Sequence, residues 1–322
     1  MTGADIVTIG ETMILLYGED TPAPIRLGER LCLDFGGADS NFAIAMSRLG
    51  YRSAWISRLG EEPLGELVLN GIAREGVDVS CVIRDPTRNT GLYLKHHDAT
   101  GVKRIQYYRR GSAASNLQPD DLNPEAFRDA RLVHLNGMTF ALSESCVSTM
   151  RRALDLGVSR GAMISLDLNL RLQLWDIESA RKALQPIIEK TSTIFGTEEE
   201  FLVYFGESDI DGALEAAVRL GPRIAVAKMG PDGAVALVDG LRLTHAGYRS
   251  PAVVDVVGAG DGFNAGFLAS YLRGLSPYEC LRRANLVGAC AVAVAGDYQG
   301  YPTLYEMERL LESWQERRPA GD

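Results

Sequence analysis

Residues 255–267 of the chain read DVVGAGDGFNAGF. A short apolar run is followed by three small residues and by an acid that opens an apolar helix. Gly258, Ala259 and Gly260 have almost no side chain, so their backbone N–H groups can approach a ligand closely. A helix that begins there directs the positive end of its dipole to the same point. Backbone and helix together predict a binding site for an anion such as phosphate.

Asp261 lies beside that point. A phosphate and a carboxylate repel each other unless a reacting hydroxyl or a metal lies between them, so the pattern indicates phosphoryl transfer to an alcohol with Asp261 as the base. A Gly-Ala-Gly-Asp sequence can also be an ordinary turn in which the Asp caps a helix. The rest of the chain has to decide between these interpretations.

The composition restricts the class of protein. The chain has 322 residues, 46% of them hydrophobic, which predicts a large α/β domain with an appendage, or two domains. A net charge of −9 and a pI near 5.1 argue against a nucleic-acid partner. The sequence has no long apolar run and no signal sequence, so we expect no membrane span and no secretion. Five scattered cysteines predict reduced thiols in a cytoplasmic protein.

After Pro119, short apolar runs alternate with helical stretches, and the predicted strands are 132–135, 162–166, 193–195 and 223–227. This alternation predicts a mostly parallel sheet covered by helices on both faces, with an antiparallel hairpin at its edge. The last predicted helices are 261–272, 277–295 and 303–315, and residues 318–322 are expected to fray.

Two segments that do not follow this strand–helix alternation, at about 12–35 and 91–110, contain further strand-like runs. The second segment reads as a hairpin that could complete a sheet begun by the first. We therefore expect the two segments to pair into one small β-sheet. Such a sheet would form a lid over the larger domain.

Glycines and polar residues follow several predicted strands, at the edge where open α/β sheets bind ligands. Gly36 and Gly37 precede a helix and could let a sugar hydroxyl approach the backbone, with Asn41 nearby, although an ordinary N-cap is the alternative. Asp167, Asn169 and Arg171 alternate along one loop, so their side chains should project to one side. A solvated loop is the alternative interpretation.

Two further loops suit a nucleotide. Lys228-Met229-Gly230-Pro231-Asp232-Gly233 could turn over a base and its phosphates, or could be a simple turn before a hairpin. Glu200 follows Thr197 by three residues, which predicts a capping box or, alternatively, a carboxylate that orients water around Mg²⁺. The chain has neither a P-loop motif nor a Gly-x-Gly-x-x-Gly after its first strand, which counts against P-loop and dinucleotide-binding proteins.

Together these motifs resemble the ribokinase-like (PfkB) family of sugar kinases, in the same order over residues 5–315. The resemblance implies a single three-layer α/β/α domain over 1–322 with a β-sheet lid, and use of ATP and Mg²⁺. It leaves open whether a monovalent cation is needed. It also implies that the lid pairs between subunits of a homo-oligomer.

The resemblance assigns roles to individual residues. The general base of the family falls on Asp261, and its amide cradle falls on Gly258, Ala259 and Gly260. Its nucleotide-binding positions fall on Asn169, Arg171, Lys228, Gly230, Gly233, Gly258, Gly260 and Asn285. The metal motif Asn-x-x-Glu falls on residues 197–200, with Glu200 acting through water. The chain departs from the family at Thr197, in place of Asn, and at Val256, in place of a frequent Thr.

Within the family, the chain is most similar to 2-keto-3-deoxygluconate kinases, through Gly91-Leu92-Tyr93, residues 107–113, Asp167 to Arg171, and residues 296–300. A sugar acid carries a carboxylate that Arg109 on the lid and Arg171 on the sheet loop could bind, each with charge-assisted bonds of about 1.5–3 kcal/mol. Either arginine could instead hold a nucleotide phosphate or a structural carboxylate. The implied substrate-binding residues are Gly36, Gly37, Asn41, Tyr93, Tyr108, Arg109, Arg171, Asp261 and Asp297.

The expected reaction is phosphorylation of the 6-hydroxyl of 2-keto-3-deoxygluconate. Fructose or 5-dehydro-2-deoxygluconate are alternative substrates for the same chemistry. A catalytically silent sugar- or nucleotide-binding regulator on the same fold is a third possibility, against which the intact Gly-Ala-Gly-Asp sequence argues.

Overall fold

The computed structural model describes residues 3–18, 24–250 and 252–313. Its strands are β1 (Ile6–Ile9), β2 (Met13–Tyr17), β3 (Cys32–Gly36), β4 (Ser53–Ile56), β5 (Arg58–Gly60), β6 (Ile83–Asp85), β7 (Leu92–His97), β8 (Lys103–Tyr108), β9 (Leu132–Asn136), β10 (Met163–Asp167), β11 (Thr193–Thr197), β12 (Ile224–Lys228), β13 (Ala234–Val238) and β14 (Leu241–His245). Its α-helices are α1 (Ala38–Arg48), α2 (Pro63–Arg74), α3 (Gly137–Phe140), α4 (Glu144–Ser159), α5 (Ile177–Ile188), α6 (Glu198–Phe205), α7 (Ile210–Leu220), α8 (Ala259–Tyr271), α9 (Pro277–Ala291) and α10 (Leu304–Ser313).

The main sheet of the described residues has the strand order β14-β13-β12-β11-β10-β9-β1-β4. Neighbouring strands in the stretch β12-β11-β10-β9-β1-β4 of this order run parallel. β13 and β14 form an antiparallel hairpin at one edge. Both faces are buried, as parallel sheets require: Ile224 and Val226 pack into one core, and Ala225 and Ala227 into the other. The predicted mostly parallel sheet is confirmed.

Helices cover both faces of this sheet. Phe42 of α1 and Phe267 of α8 are fully buried in the core on one face. Met150 of α4, Leu184 of α5 and Leu214 of α7 are buried in the core on the other. The predicted three-layer α/β/α architecture is therefore confirmed.

A second sheet, which we call the small sheet, has the order β3-β2-β7-β8. β2 runs parallel to β7, and the two outer strands pair antiparallel with their neighbours. It is built from the two segments predicted from the sequence, of which residues 19–23 lie outside the described residues. Every residue of β8 is exposed, so this strand is an open edge as far as the described residues show.

The predicted ends of the last helices need correction. α8 begins at Ala259 rather than at Asp261, because Gly258 adopts a left-handed conformation and serves as the N-cap. α9 ends at Ala291 rather than at 295, and the carbonyl of the following Val292 accepts a hydrogen bond of 2.8 Å from Val254. The expectations for residues 314–315 and 318–322 lie outside the described residues. No described helix combines the length and the apolar character needed to cross a bilayer.

Candidate active site

A cavity of about 740 Å³ lies at the carboxyl ends of the central strands. Asp167, Thr197 and Lys228, the last residues of β10, β11 and β12, line it. Tyr93 and Tyr107 line it from the small sheet, so the cavity lies between the two sheets. Of the residues predicted for the site, the cavity brings together Gly36, Gly37, Asn41, Tyr93, Arg109, Asn169, Arg171, Glu200, Lys228, Gly230, Gly233, Gly258, Ala259, Gly260, Asp261, Asn285 and Asp297.

The backbone N–H groups at the start of α8 face this cavity. We call this segment, which consists of Gly258, Ala259 and Gly260, the cradle. Gly258 has a φ of 81°, a conformation that favours glycine, and a Cβ there would lie 1.7 Å from the carbonyl oxygen of Asp297. The N–H of Gly260 donates to no backbone carbonyl of the described residues, whereas that of Ala259 makes a long bond of 3.4 Å to Val256. Free N–H groups at the start of a helix attract an anion.

Asp261 lies in the first turn of α8 and opens onto the cavity. Its Oδ2 accepts a hydrogen bond of 2.9 Å from Nδ2 of Asn41. Burial raises the pKa of Asp261 to about 7; the bond from Asn41 opposes this shift, and the nearby carboxylate of Asp167 adds to it. A carboxyl group with a pKa near neutrality is well suited to accept a proton from a hydroxyl.

A buried ion pair stands beside the cradle. Nζ of Lys228 lies 2.9 and 3.1 Å from the two carboxylate oxygens of Asp167, and Asn264 donates to Asp167 at 2.7 Å. Burial opposes the ionisation of Asp167, but Lys228 outweighs it and lowers the pKa of the carboxyl. A Cβ on Gly260 would lie 3.4 Å from Nζ of Lys228. The ammonium of Lys228 therefore stands next to the cradle, held in place by Asp167.

Glu200 has a structural role that competes with metal binding. Its side-chain Oε2 accepts a hydrogen bond of 2.8 Å from the N–H of Thr197. Its own backbone N–H donates one of 3.2 Å to the Thr197 hydroxyl, and the two bonds make a capping box. Burial and the charge of Asp167 raise the pKa of Glu200. The described residues contain no cluster of three or more His, Cys, Asp or Glu side chains that could hold a metal. A water-mediated role for Glu200 stays a prediction.

The loop after β10 carries two of the predicted polar residues into the cavity. Asn169 has a φ of 33°, a left-handed conformation that is uncommon outside glycine and that concentrates at functional sites. Arg171 is exposed and lines the cavity, and its side chain makes no hydrogen bond or ion pair with another described residue. Its guanidinium is available to an anionic ligand.

Arg109, just after β8, forms an ion pair with the fully buried Glu11. Glu11 also accepts a hydrogen bond from Ser112. The alternative that Arg109 serves a structural carboxylate is therefore observed. Nη2 of Arg109 lies 2.7 Å from Sδ of Met138, but Nε is buried and has no hydrogen-bond partner among the described residues. Leaving a buried donor unsatisfied costs about 1–3 kcal/mol, so a ligand acceptor in the cavity would be stabilised there.

Tyr93 and Asp297 form a second polar cluster at the small sheet. The hydroxyl of Tyr93 donates to Oδ2 of Asp297 at 2.7 Å, and Nζ of Lys95 donates to Oδ1 at 2.8 Å. Gly36 packs against this pair, because a Cβ there would lie 2.2 Å from Oδ2 of Asp297 and 2.3 Å from the Tyr93 oxygen. Asp297 is held by two protein donors, and its predicted contact with substrate hydroxyls stays a prediction.

The predicted nucleotide-binding residues meet at another part of the cavity. Gly230 and Gly233 have φ values of 57° and 95° in the turn after β12. A Cβ on Gly233 would lie 2.0 Å from the carbonyl oxygen of His245. Asn285 of α9 donates to that same oxygen at 3.3 Å. The loop, β14 and α9 therefore form one continuous wall.

Tyr108 does not line the cavity in this chain, contrary to the prediction. Its side chain is on the opposite face of β8 from Tyr107 because neighbouring strand residues alternate, and it is 60% exposed. Tyr107 faces the cavity and stacks on Tyr93 with ring centroids 5.8 Å apart. The tyrosine pair was recognisable from the sequence, but the face on which each ring lies depends on the register of the small sheet.

The fold and the site define a class: the protein is a phosphotransferase with an alcohol group as acceptor, and more narrowly a sugar kinase. A turn of free N–H groups adjoins a fixed ammonium and a carboxyl group suited to accept a hydroxyl proton. The profile described as pfkB family carbohydrate kinase matches residues 4–304, and the chain belongs to this family.

Several known proteins are similar along almost their whole length. The 2-dehydro-3-deoxygluconokinase of Bacillus subtilis is 32% identical over 96% of each chain, and the fructokinase of Klebsiella pneumoniae is 31% identical over 86% of this chain and 91% of its own. The crystal structure of a PfkB protein from Polaromonas sp. JS666 is 33% identical, with a TM-score of 0.85 over 95% of this chain and 99% of that one. A structure from E. coli described as ribokinase II, in complex with ATP and Mg²⁺, shares the fold at 24% identity, with a TM-score of 0.88 over 96% and 99% of the two chains.

Gly258→Ala tests whether the cradle conformation matters for turnover. The substitution forces a Cβ against Asp297 at a positive φ, which should displace the N–H groups, and a displacement of about 1 Å can lower kcat about 10²-fold. Gly274→Ala is the matched control, because Gly274 has a φ of 78° and open space around it. It should cost about 1–2 kcal/mol of folding free energy and leave kcat unchanged. Equal kcat values for the two variants would contradict the assignment.

Asp261→Asn tests the base. We expect kcat to fall about 10²–10⁴-fold, the usual contribution of general-base catalysis, while substrate binding is largely retained. In the unmodified enzyme, kcat/KM should rise with pH through about 7, because Asp261 must be ionised to accept the proton. Steady-state kinetics between about pH 5.5 and 8.5 measure both effects. A flat profile, or a variant that turns over normally, would refute the role.

Asp261→Asn should lower kcat but raise the free energy of unfolding above pH 5. Because the pKa of Asp261 is higher in the folded chain than in the unfolded one, its ionisation destabilises the fold progressively from about pH 4 to pH 7. Asp261→Asn removes this cost, so the variant should gain on the order of 2–3 kcal/mol over the unmodified protein at pH 8, relative to pH 5, because one pKa unit corresponds to about 1.4 kcal/mol. Urea unfolding at the two pH values gives the comparison.

Proposed function

We propose that the protein is an ATP- and Mg²⁺-dependent kinase that phosphorylates the 6-hydroxyl of 2-keto-3-deoxygluconate to give 2-keto-3-deoxy-6-phosphogluconate. The observation that carries the proposal is the buried, unpartnered Nε of Arg109 on the wall of the cavity that holds Asp261. Arg171, without an ion-pair partner among the described residues, lines the same cavity. A sugar with a carboxylate gives both guanidiniums an acceptor.

The charge of Arg171 favours an acidic sugar over a neutral one. Glu11 already balances its charge, so the pair as a whole is neutral and Arg171 supplies the net positive charge. A hydrogen bond between a guanidinium and a carboxylate contributes about 1.5–3 kcal/mol, more than one between neutral groups. A neutral hexose could accept hydrogen bonds, but it would leave the charge of Arg171 without a partner.

The proposed reaction uses groups that the chain itself supplies. Asp261 removes the proton from the reacting hydroxyl. The N–H groups of Gly258, Ala259 and Gly260 donate to the transferred phosphoryl group, and Lys228 adds positive charge beside them. Tyr93 and the two arginines hold the other end of the sugar. Positioning and electrostatic stabilisation of this kind account for most of the catalysis of phosphoryl transfer.

The residues present fit a nucleotide with its metal. Lys228, Gly230, Gly233 and Asn285 line the part of the cavity proposed for ATP, and the free N–H of Gly260 suits its phosphates. Mg²⁺ usually keeps several waters and binds substrate phosphates with one or two carboxylates, so Glu200 acting through water is an adequate protein contribution. When bound, Mg²⁺ neutralises charge on the phosphates.

Fructose and 5-dehydro-2-deoxygluconate are the competing substrates, and the similarity to fructokinases supports the first of them. A substrate panel with ATP that compares 2-keto-3-deoxygluconate, fructose, ribose and 5-dehydro-2-deoxygluconate separates these cases by kcat/KM. A non-catalytic regulator would release no ADP with any of the four sugars.

Arg171→Gln tests the carboxylate contact. With 2-keto-3-deoxygluconate, kcat/KM should fall by about 10–10²-fold, the equivalent of 1.5–3 kcal/mol, and any activity on fructose should change little. Arg109→Lys keeps a cation for Glu11 while it removes Nε, and should act in the same direction. Tyr108→Phe, outside the cavity, is the control. Equal losses on the acidic and the neutral sugar would refute the carboxylate role.

We also propose that the small sheet pairs with a second copy of the chain. Strand β8 is exposed along its whole length, and Leu33 of β3 is 48% exposed and Tyr108 60% exposed. Open strand edges and apolar surface of this kind are usually covered. Light scattering coupled to size-exclusion chromatography should give a mass of at least two chains, and Tyr108→Asp should lower it. A monomer at micromolar concentration would contradict the proposal.

A further inference from the structure

A buried lysine of the small sheet connects that sheet to the cradle. Lys95 on β7 has a side chain that is only 3% exposed. Its Nζ lies 2.6 Å from Oδ2 of Asp255 and 2.8 Å from Oδ1 of Asp297. Both carboxylates are buried, with 4% of each side chain exposed. One ammonium therefore bridges two aspartates from separate segments of the chain.

Each of these aspartates is tied to the cradle. Asp255 is the first residue of the Asp-Val-Val-Gly-Ala-Gly-Asp segment, and its Oδ1 accepts a hydrogen bond of 3.2 Å from the N–H of Val257. The backbone of Asp297 packs directly against the cradle, because a Cβ on Gly258 would lie 1.7 Å from its carbonyl oxygen. Lys95 is therefore linked to the turn at Gly258 through both aspartates.

The same strand reaches the part of the cavity proposed for the sugar. Tyr93 and Lys95 are two residues apart on β7, so they face the same side of the small sheet. Tyr93 donates to Oδ2 of Asp297 and Lys95 to Oδ1. A single carboxylate thus joins a tyrosine of the cavity to the ammonium behind the cradle.

We propose that Lys95 is a positioning residue for phosphoryl transfer: its ammonium fixes the cradle by bridging Asp255 and Asp297, and so makes the alignment of the cradle depend on the placement of the small sheet. Without it, two buried carboxylates that contact the same point would repel each other. Carboxylates buried without a cation must take up a proton, draw in a cation from solution or move apart.

The charge on Lys95 is maintained by its partners. Burial alone would lower the pKa of a lysine, but Asp297 and Asp255 outweigh burial and raise the pKa of Lys95. Lys103 is a natural comparison. Its Nζ lies 3.5 Å from Asp255, but its side chain is 38% exposed and it has no contact with Asp297. It can add to the field at Asp255 without bridging the two segments.

The experiment compares Lys95→Ala, Lys95→Met and Lys103→Ala. We expect kcat to fall about 10²-fold in both Lys95 variants, since a displacement of about 1 Å can have this effect, with KM for sugar and ATP changing less than about fivefold. Lys103→Ala should keep kcat within about twofold of the unmodified enzyme. A fall confined to KM, or a Lys95→Met enzyme with normal kcat, would overturn the proposal.

Rescue by small amines separates positioning from a general loss of structure. Methylammonium at tens of millimolar should fit the space left in Lys95→Ala, donate to both carboxylates and restore kcat at least about tenfold. It should do nothing for Lys95→Met, where the side chain fills the space, or for the unmodified enzyme. Tetramethylammonium, which has the charge but no N–H, is the control. Equal recovery with both amines, or none with methylammonium, would overturn the proposal.

The kinetic comparison uses the sugar that the substrate panel identifies, and it rests on the kinase activity rather than on the proposed substrate. A panel without turnover would refute the proposed function separately. The thermal stability of Lys95→Ala then decides the proposal: methylammonium should raise its Tm and tetramethylammonium should not. If Lys95→Ala does not fold without added amine, Lys95→Met supplies the kinetic result.

Discussion

The charge balance around the cradle is the constraint on which the site depends. A polyanion has to bind where Asp167, Asp255, Asp261 and Asp297 also lie. Lys228 pairs with Asp167, Lys95 bridges Asp255 and Asp297, and Lys103 adds a second positive charge near Asp255. Asp261 forms no ion pair with a lysine among the residues that the structure describes, and burial raises its pKa to about 7. Burial also raises the pKa of Asp297, but that carboxylate is held by Tyr93 and Lys95, whereas Asp261 opens onto the cavity and can accept a proton there.

The parallel sheet makes this balance possible. The carboxyl ends of β10, β11 and β12 place Asp167, Thr197 and Lys228 side by side, although they are about thirty residues apart in sequence. α8 then brings the first turn of a helix to the same edge. The chemistry is therefore assembled by strand order rather than by any one motif.

Much of this could be predicted from the sequence, because small residues and periodic apolar runs have local causes. The cradle, the strand–helix alternation and the two segments of the small sheet belong to this group. Side-chain pairing over long separations could not be predicted. Lys95 and Glu11 belong to no motif of the sequence, and only the fold places them beside Asp297 and Arg109. Tyr108 and Tyr107 were indistinguishable because a one-residue change of register exchanges the two faces of a strand.

The raised pKa of Asp261 also has a consequence for ligand binding. Near neutral pH, the ligand-free site is a mixture of molecules with and without a proton on this carboxyl. A polyanion held against the cradle raises the proton affinity of Asp261 further, so its binding draws protons from the buffer. The heat of binding should then change with the ionisation enthalpy of the buffer, and the site couples its occupancy to the acidity of its surroundings.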